Sequence, residues 1–438
     1  MQDYFHSISD SLFKKIENNE RLLINFQAEV SDFVRFNHNK IRQAGNVSRR
    51  TVNLNLISGK RHCCASIDMS GDIQQDLAQL KRSLKHLREQ RSFLPEDPYL
   101  NYSTDIINSE THHAQGIMDS SNAIEQIHQA SHHMDMVGIF ANGTQYSGFS
   151  NSMGQNNWHS NASFNFDWSC YHDKDKAVKN AYAGFNWQQH IIAEKMKCME
   201  QQLEILSRPA VTIKPGQYRA YIAPAALNEI IGMMAWGGFS LQSHRTKETP
   251  LLQMLQLGRT LSPLLSIREK HSRGLAPGFT RSGFIKPQQV QLIESGHYKD
   301  CLVNPRSAVE YQSTTNSEAE TPCALELTAG SLSRENILKE LDTGIYINNL
   351  WYLNFSDRNA CKMTGMTRFA CFWVEKGNIQ APVNVMRFDE SLYDLLGNNL
   401  LDFTAEREFI FDAGTYGQRS NDSIELPGAL LRSINFTL

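Results

Sequence analysis

The hydrophobic and polar positions change their period along the chain, and each change predicts a new element. Residues 8 to 29 carry a helical pattern. The stretch from Leu22 to Asp68 alternates apolar and polar residues between Gly, Asn and Ser breaks. Alternation with a period of two predicts half-buried strands. We therefore expect a helix followed by a run of antiparallel strands at the start of the chain.

Helical spacing returns in three later segments of the first half. In the first segment, apolar residues recur at intervals of three and four residues, at Ile73, Leu77, Leu80, Leu84 and Leu87. This spacing predicts an amphipathic helix that lies on the sheet. Residues 120–134 repeat the pattern, and residues 175–206 are predicted to form a long helix.

Strand patterns return between these helices and dominate the second half. Strands are expected from residue 135 onward, with a turn at Asn142-Gly143. The Pro and Gly residues near position 208 indicate a domain boundary there. Beyond it, only residues 224–236 and 335–341 are predicted to be helical. The fold class is α+β: an antiparallel sheet with flanking helices, then a mainly antiparallel β domain with a helix facing a groove.

Composition narrows the function classes. A chain of 438 residues, 41% hydrophobic and 20% charged, is too long for one core, so we expect domains at 1–207 and 208–438. A net charge of −3 with scattered Lys and Arg residues gives no basic surface for nucleic acid. No apolar run approaches the roughly 18 residues of a membrane helix, and no leader segment is evident, so a cytoplasmic location without membrane attachment is expected.

The eight cysteines are expected to be reduced thiols, mostly buried among apolar neighbours. One alternative is a metal site at "RHCCAS", through His62, Cys63 and Cys64. Consecutive residues on a strand point to opposite faces, so a structural role is favoured over that site.

Several longer segments resemble the TldD/PmbA family, also called TldD/TldE, whose members are known as peptidase-related modulators of DNA gyrase. The resemblance spans almost the whole chain. It is carried by "FVRFNHNKIRQAGNVSRRTVNLNLISGKRHCCAS", "GFSNSMGQNNWHSNASFNFDWSC", "KPGQYRAYIAPAALNEII", "TGIYINNLWYLNFSDRNACKMTGMTRFACFWVEKGNIQAPV" and "FDAGTYGQRSNDSIELPGALL". The fourth segment is the most specific, because its Gly344, Asn348-Asn349 pair, Gly365 and Glu375-Lys376-Gly377 turn occur in the family's order.

In the TldD branch, the resemblance implies a helix with the pattern His-Glu-x-x-x-His and a distant Cys that together bind zinc. Here the corresponding helix reads "NEIIGM". Asn228 and Met233 replace the two His residues, Glu229 keeps the general-base position, and Ala413 replaces the Cys. We call these four residues the zinc-helix positions. An amide, a thioether and a methyl group cannot replace two imidazoles and a thiolate on Zn²⁺, so no catalytic residue and no metal are expected in this chain.

Loss of these ligands is typical of the PmbA (TldE) branch. The resemblance then implies a pseudoenzyme: the non-catalytic subunit of a heterodimer whose TldD-type partner holds the zinc. The pair is implied to bind and process unfolded or leader peptides, as in peptide maturation; pairing with a second copy of the same chain is left open. Candidate peptide-groove residues are Asn348, Asn349, Trp351 and Asn354, on polar and aromatic strands that suit strand addition.

Two other functions compete with this one. The first is a stand-alone regulatory binding protein that modulates gyrase or a toxin-antitoxin pair without any peptidase role. The second is a hydrolase with another nucleophile. Histidines are frequent, as in "ETHHAQG", "HQASHHMD" and "REKHSRG", but none lies in a recognisable Ser-His or Cys-His motif.

Overall fold

The structure is a computed structural model that describes residues 1–113, 119–173, 176–415 and 417–437, and at Arg273 only the backbone. Within these ranges the protein folds as α+β, which confirms the predicted fold class. Two large sheets dominate it, one in each half of the chain. No helix within these ranges is long and apolar enough to cross a membrane.

The first half builds a mainly antiparallel sheet with helices against it. In chain order its elements are α1 (Gln2–Phe13), β1 (Arg21–Asn37), β2 (Lys40–Ser58), β3 (Arg61–Asp68), α2 (Ile73–Arg91), β4 (Ser109–His113), α3 (Ser120–Ser131), β5 (Asp135–Asn151), β6 (Asn156–Asp173), β7 (Lys176–Gly184) and α4 (Gln189–Leu206). The strand order is β3-β2-β1-β5-β6-β4, with β7 also paired to β6. Only the pair β4–β6 is parallel among these strands.

Two hydrophobic clusters fix the helices on this sheet. Helices α1 and α2 bury Ile8 and Leu84 against Phe26 of β1. Helices α3 and α4 bury Ile127 and Met196 in a separate cluster with strands β5 to β7. Each fully buried side chain of this size contributes roughly 1.5–3 kcal/mol, so the apolar stripe of each helix determines where that helix lies.

The helical prediction for residues 8–29 is wrong in its second half. Helix α1 ends at Phe13, and strand β1 begins at Arg21. Both faces of β1 are covered: Leu22 packs in the cluster of α1 and α2, whereas Leu23 packs in another cluster with Phe149. A strand buried on both faces has an unbroken apolar run, which periodicity alone cannot distinguish from a helix.

Two further predictions in the first half need correction. Asn142-Gly143 makes no turn but lies inside β5. A Cβ atom at Gly143 would lie 2.2 Å from the carbonyl oxygen of Val30, so this glycine permits the close approach of β1. The predicted helix 175–206 begins only at Gln189, because Lys176–Gly184 pairs with β6 as strand β7.

The second half builds the larger sheet. Its elements are β8 (Gly216–Ile222), α5 (Pro224–Gly238), α6 (Leu241–Thr246), α7 (Leu252–Leu257), β9 (Ile267–Glu269), β10 (Val290–Glu294), β11 (His297–Tyr298), α8 (Pro305–Glu310), β12 (Ala324–Leu327), α9 (Ile337–Leu341), β13 (Gly344–Ile347), β14 (Trp351–Asp357), β15 (Lys362–Met366), β16 (Cys371–Glu375), β17 (Asn378–Pro382), β18 (Arg387–Ser391), β19 (Leu400–Phe411) and β20 (Ser423–Phe436). Short 3-10 turns lie at His271–Arg273 and Arg334–Asn336, and a π turn lies at Asp394–Asn398.

The order in this sheet is β11-β10-β9-β12-β20-β8-β13-β16-β17. Strands β14, β15, β18 and β19 connect to it through β20. The helices predicted at 224–236 and 335–341 are present, and α6, α7 and α8 are additional short helices. Predicting them was difficult because each has only six residues, too few for a helical period.

The two halves share contacts. Ala370 and Phe372 of the second half pack in the cluster built by α3 and α4. Arg419 reaches into the first sheet, where its guanidinium donates a hydrogen bond to Ser163 Oγ at 3.0 Å. All strands up to Gly184 belong to one sheet, and all strands from Gly216 belong to the other. The division into domains at residue 208 stays a prediction.

Candidate functional site

Helix α5 carries three of the four zinc-helix positions. Pro224 occupies the first turn, where its fixed φ suits a helix start. One face of the helix is fully buried in the core of the second sheet, through Leu227, Ile230, Ile231 and Met234. Because a helix turns every 3.6 residues, Glu229 lies on the opposite, exposed face, with Asn228 and Met233 half-buried at its two edges.

The residues at these positions have ordinary structural surroundings. Met233 packs against the core of the second sheet, as expected for a residue that fills apolar space. Ala413 lies half-buried in the loop between β19 and β20. Trp236 is 60% exposed and lies where the helix kinks, at Trp236 and Gly237. Its ring lies 5.0 Å from the guanidinium of Arg358.

Glu229 is the titratable group of this helix face. Although the side chain is exposed, burial among surrounding protein atoms raises the pKa of its carboxyl to about 7. The Lys179 ammonium and a hydrogen bond from the backbone N–H of Leu350 oppose that increase in pKa. Neighbouring protein atoms thus desolvate a carboxyl that still contacts water.

Asn348 and Asn349 lie in the connection from β13 to β14, directly before Leu350. The Asn348 amide donates to Asn349 Oδ1 at 3.0 Å, and the Asn348 backbone N–H donates to the Ala370 carbonyl at 3.1 Å. Asn349 is only 5% exposed, and its carbonyl accepts a hydrogen bond from the Cys371 thiol at 3.3 Å. The structure thus places the Asn pair beside Glu229, although Asn349 serves mainly to hold the turn.

Trp351 and Asn354 belong to β14, which is an edge strand. It pairs with β15 on one side, and no strand among the described residues pairs with its other side. Tyr352, 65% exposed and with φ of +58°, interrupts the regular pairing between Trp351 and Asn354. Phe355 of β14 lies 6.2 Å from the Trp236 ring of α5. The free edge therefore lies close to the exposed face of α5.

The first sheet reaches this region through Lys179 of β7. Its ammonium lies 3.8 Å from the centre of the Phe369 ring. Burial raises the pKa of Asp167, and Lys179 opposes that increase as it does for Glu229. Asp167 lines a cavity of about 930 Å³ between the first sheet and the loop that contains Thr415 and Gly417. Lys179 thus lowers the carboxyl pKa both on the α5 face, at Glu229, and at this cavity, at Asp167.

Strand β6 is also rich in polar and aromatic residues, but it is an internal strand. It pairs with β5 on one side and with β4 and β7 on the other. Its buried amides are used within the protein; Asn157, for example, donates to the carbonyl of Ile107 at 2.8 Å. β6 therefore offers no edge to a peptide, and β14 does.

Residues that could hold a metal ion occur away from α5. Among the described residues, one group of three His, Cys, Asp or Glu side chains places its ligand atoms within 4.8 Å of one another: Glu269, His271 and Cys323. His62, Cys63 and Cys64 form no such group, and all eight cysteines are free thiols. Sequence reasoning missed this cluster because about fifty residues separate Cys323 from the other two, and no short motif contains them.

Comparisons with known proteins identify a family from the sequence and a shared fold from solved structures. A model of the PmbA/TldA metallopeptidase C-terminal domain matches residues 215–438. No curated protein matches the chain. Three solved structures share the fold over 99% of this chain: TldE from Thermococcus kodakarensis (14% identity, 100% of that chain, TM-score 0.78), and proteins described as candidate modulators of DNA gyrase from Thermotoga maritima (14%, 99%, 0.74) and Bacteroides thetaiotaomicron (12%, 98%, 0.72).

Proposed function

Because the chain belongs to the PmbA/TldD metallopeptidase family, we propose that it is a non-catalytic partner subunit of a TldD/TldE-type zinc metallopeptidase. The proposal rests on helix α5, where the family resemblance puts Asn228 and Met233 at the positions of the two zinc-binding histidines. Neither side chain is an imidazole, which the TldD-type zinc site needs at both positions. The zinc that cuts peptide is then held by a TldD-type partner.

The subunit contributes peptide binding to this complex. An extended peptide adds to the free edge of β14 through main-chain hydrogen bonds, which tolerate many side-chain sequences. Trp351 and Tyr352 expose aromatic surface beside that edge. Glu229 of α5 and Lys179 of β7 border it with opposite charges. Such a surface suits unfolded or leader peptides, which present backbone and have no fixed fold.

Mixing experiments test the proposal. The chain alone should leave an unfolded peptide intact, and the chain combined with a TldD-type subunit should form a heterodimer that cuts it. Removing the general-base glutamate of the TldD-type subunit should stop cleavage. Glu229→Gln in this chain should leave the cleavage rate nearly unchanged. Cleavage by the isolated chain would contradict the proposal.

The second candidate is a stand-alone regulator of gyrase or of a toxin-antitoxin pair. The descriptions of the Thermotoga maritima and Bacteroides thetaiotaomicron proteins favour it. It predicts binding to such a partner when no TldD-type subunit is present, and no effect of this chain on peptide cleavage. Size-exclusion chromatography of the chain with each partner distinguishes the two functions.

A further inference from the structure

Strand pairing in the second sheet brings three metal-binding residue types together. Glu269 is the last residue of β9, and His271 begins the 3-10 turn that follows. Cys323 directly precedes β12, which pairs antiparallel to β9 with Leu325 opposite Glu269. Two short strands, rather than a contiguous motif, thus create the cluster.

The distances within the cluster match those between ligands of one metal ion. Cys323 Sγ lies 3.0 Å from Glu269 Oε1, and His271 Nδ1 lies 3.7 Å from the same oxygen. Tetrahedral Zn²⁺, with Zn–S near 2.3 Å and Zn–O or Zn–N near 2.1 Å, places its ligand atoms roughly 3.5 Å apart. All three ligand atoms lie within 4.8 Å of one another, so shifts of roughly 0.5–1 Å bring them around one ion.

His271 provides an independent indication of a ligand. It is 6% exposed, and neither of its ring nitrogens has a hydrogen-bond partner among the described residues. Nδ1 nevertheless points toward Glu269, at a distance longer than a hydrogen bond. Buried polar atoms of a folded protein are almost always paired, and an imidazole without hydrogen bonds in a polar cluster is suited to coordinate a metal.

We propose that Glu269, His271 and Cys323 form a site for Zn²⁺, bound through a carboxylate oxygen, an imidazole nitrogen and a thiolate. The soft thiolate and the imidazole favour Zn²⁺ over Mg²⁺ or Ca²⁺, which prefer oxygen ligands. On binding, the Cys323 thiol releases its proton to solvent, and the ion exchanges water for the three protein ligands. This site departs from the expectation that the chain holds no metal.

The site opens to solvent on one side. Cys323 is half-buried and lines a cavity of about 220 Å³ together with Asp422 and Lys286. Three protein ligands leave one tetrahedral position for water or for a bound molecule on the cavity side. The Lys286 ammonium disfavours a nearby cation, but the carboxylates of Glu269 and Asp422 and the thiolate offset its charge.

Metal titration of the full chain tests the site without any peptidase assay. After treatment with a chelator, the chain should bind one Zn²⁺, or one Co²⁺ as a spectroscopic probe. Thiolate ligation should give Co²⁺ a near-ultraviolet charge-transfer band, and tetrahedral geometry should give strong visible bands. Absence of the charge-transfer band in the unmodified protein would overturn the proposal, whatever the variants do.

Variants assign the ligands. Cys323→Ser and His271→Asn should each weaken Zn²⁺ binding at least tenfold, since loss of even outer partners of a metal ligand costs about 10- to 100-fold. Cys64→Ser is the matched control: its thiol lies 3.9 Å from His62 Nδ1 in the other Cys-His pair, and its loss should leave the affinity unchanged. Weaker binding in Cys64→Ser, or full binding in Cys323→Ser, would refute the assignment. Because the partner subunit takes no part, this outcome is independent of the test of the proposed function.

Discussion

Helix α5 and the cluster of Glu269, His271 and Cys323 contrast in what each keeps of a metal site. By the family resemblance, helix α5 corresponds to the zinc helix of the TldD branch, but it has an amide and a thioether where that branch has its ligands. The cluster has the donor atoms of a zinc site on two short paired strands. One face of α5 packs in the core of the second sheet, and that packing holds the helix in place whatever its other face presents.

A single loop borders both regions. It runs from β19 to β20 and contains Ala413, one of the zinc-helix positions, and Asp422, which lines the cavity at Cys323. Arg419 fixes this loop to the first sheet: its backbone N–H donates to Glu29 at 3.0 Å, and its guanidinium donates to Ser163 Oγ. Disturbing Arg419 should therefore affect both regions at once.

The largest expected effect is that of Arg419→Met. Burial lowers the pKa of this guanidinium to about 10, and the charge of Glu29 opposes that change. The substitution removes the guanidinium, which donates to Ser163 Oγ and to the Gly143 carbonyl, and leaves these buried acceptors without that donor. Each hydrogen bond to a charged group contributes about 1.5–3 kcal/mol. Urea unfolding should show that loss, whereas Arg432→Met at an exposed position should change stability by less than about 0.5 kcal/mol.

The next prediction separates the two faces of α5. Ile230→Ala removes a fully buried side chain from the core and should lower the free energy of unfolding by about 2–5 kcal/mol. Asn228→Ala, on the same helix but half-buried at the edge of the open face, should cost less than about 1 kcal/mol. Equal losses in the two variants, measured by chemical denaturation, would mean that the helix is not held by its core face.

A smaller effect is expected at the free edge of β14. Tyr352→Asp replaces an exposed aromatic ring with a charge, so an unfolded peptide should bind to the complex several-fold more weakly. Phe93→Ala, 88% exposed outside that edge, is the matched control and should bind peptide like the unmodified protein. Fluorescence anisotropy of a labelled peptide measures both. Unchanged binding of Tyr352→Asp would place the peptide elsewhere.

The smallest expected effect concerns Glu229. Folding raises the pKa of this carboxyl from 4.5 to about 7, so between these pH values the folded protein holds a proton that the unfolded chain lacks. The stability gained from that proton is present below pH 4.5 and is lost as the pH rises to about 7. Relative to Glu229→Gln, the unmodified protein should therefore lose stability between these values and stay constant above them. Parallel stability profiles of the two proteins would contradict this.

Sequence patterns predicted the parts of the fold that have a single exposed face. Helix α2 was predicted because its apolar stripe faces one sheet, and α5 was predicted at residues 224–236. Asn348 and Asn349 were expected on a strand but lie in the connection between β13 and β14. Strand β1 was misassigned where both of its faces are covered. The Asn142-Gly143 pair was misread because packing against β1, rather than a turn, requires that glycine. Lys179 and the cluster at Cys323 depend on contacts between distant segments, which no local period encodes.

Elemental analysis of zinc in paired variants tests the contrast between the two regions most directly. After chelation, reloading with Zn²⁺ and gel filtration, we expect about one zinc per chain in the unmodified protein and in the double variant Asn228→Ala/Met233→Ala. Cys323→Ser should retain almost none. Loss of zinc from the α5 double variant, with retention in Cys323→Ser, would contradict the account. It would mean that helix α5, and not the cluster, binds the metal.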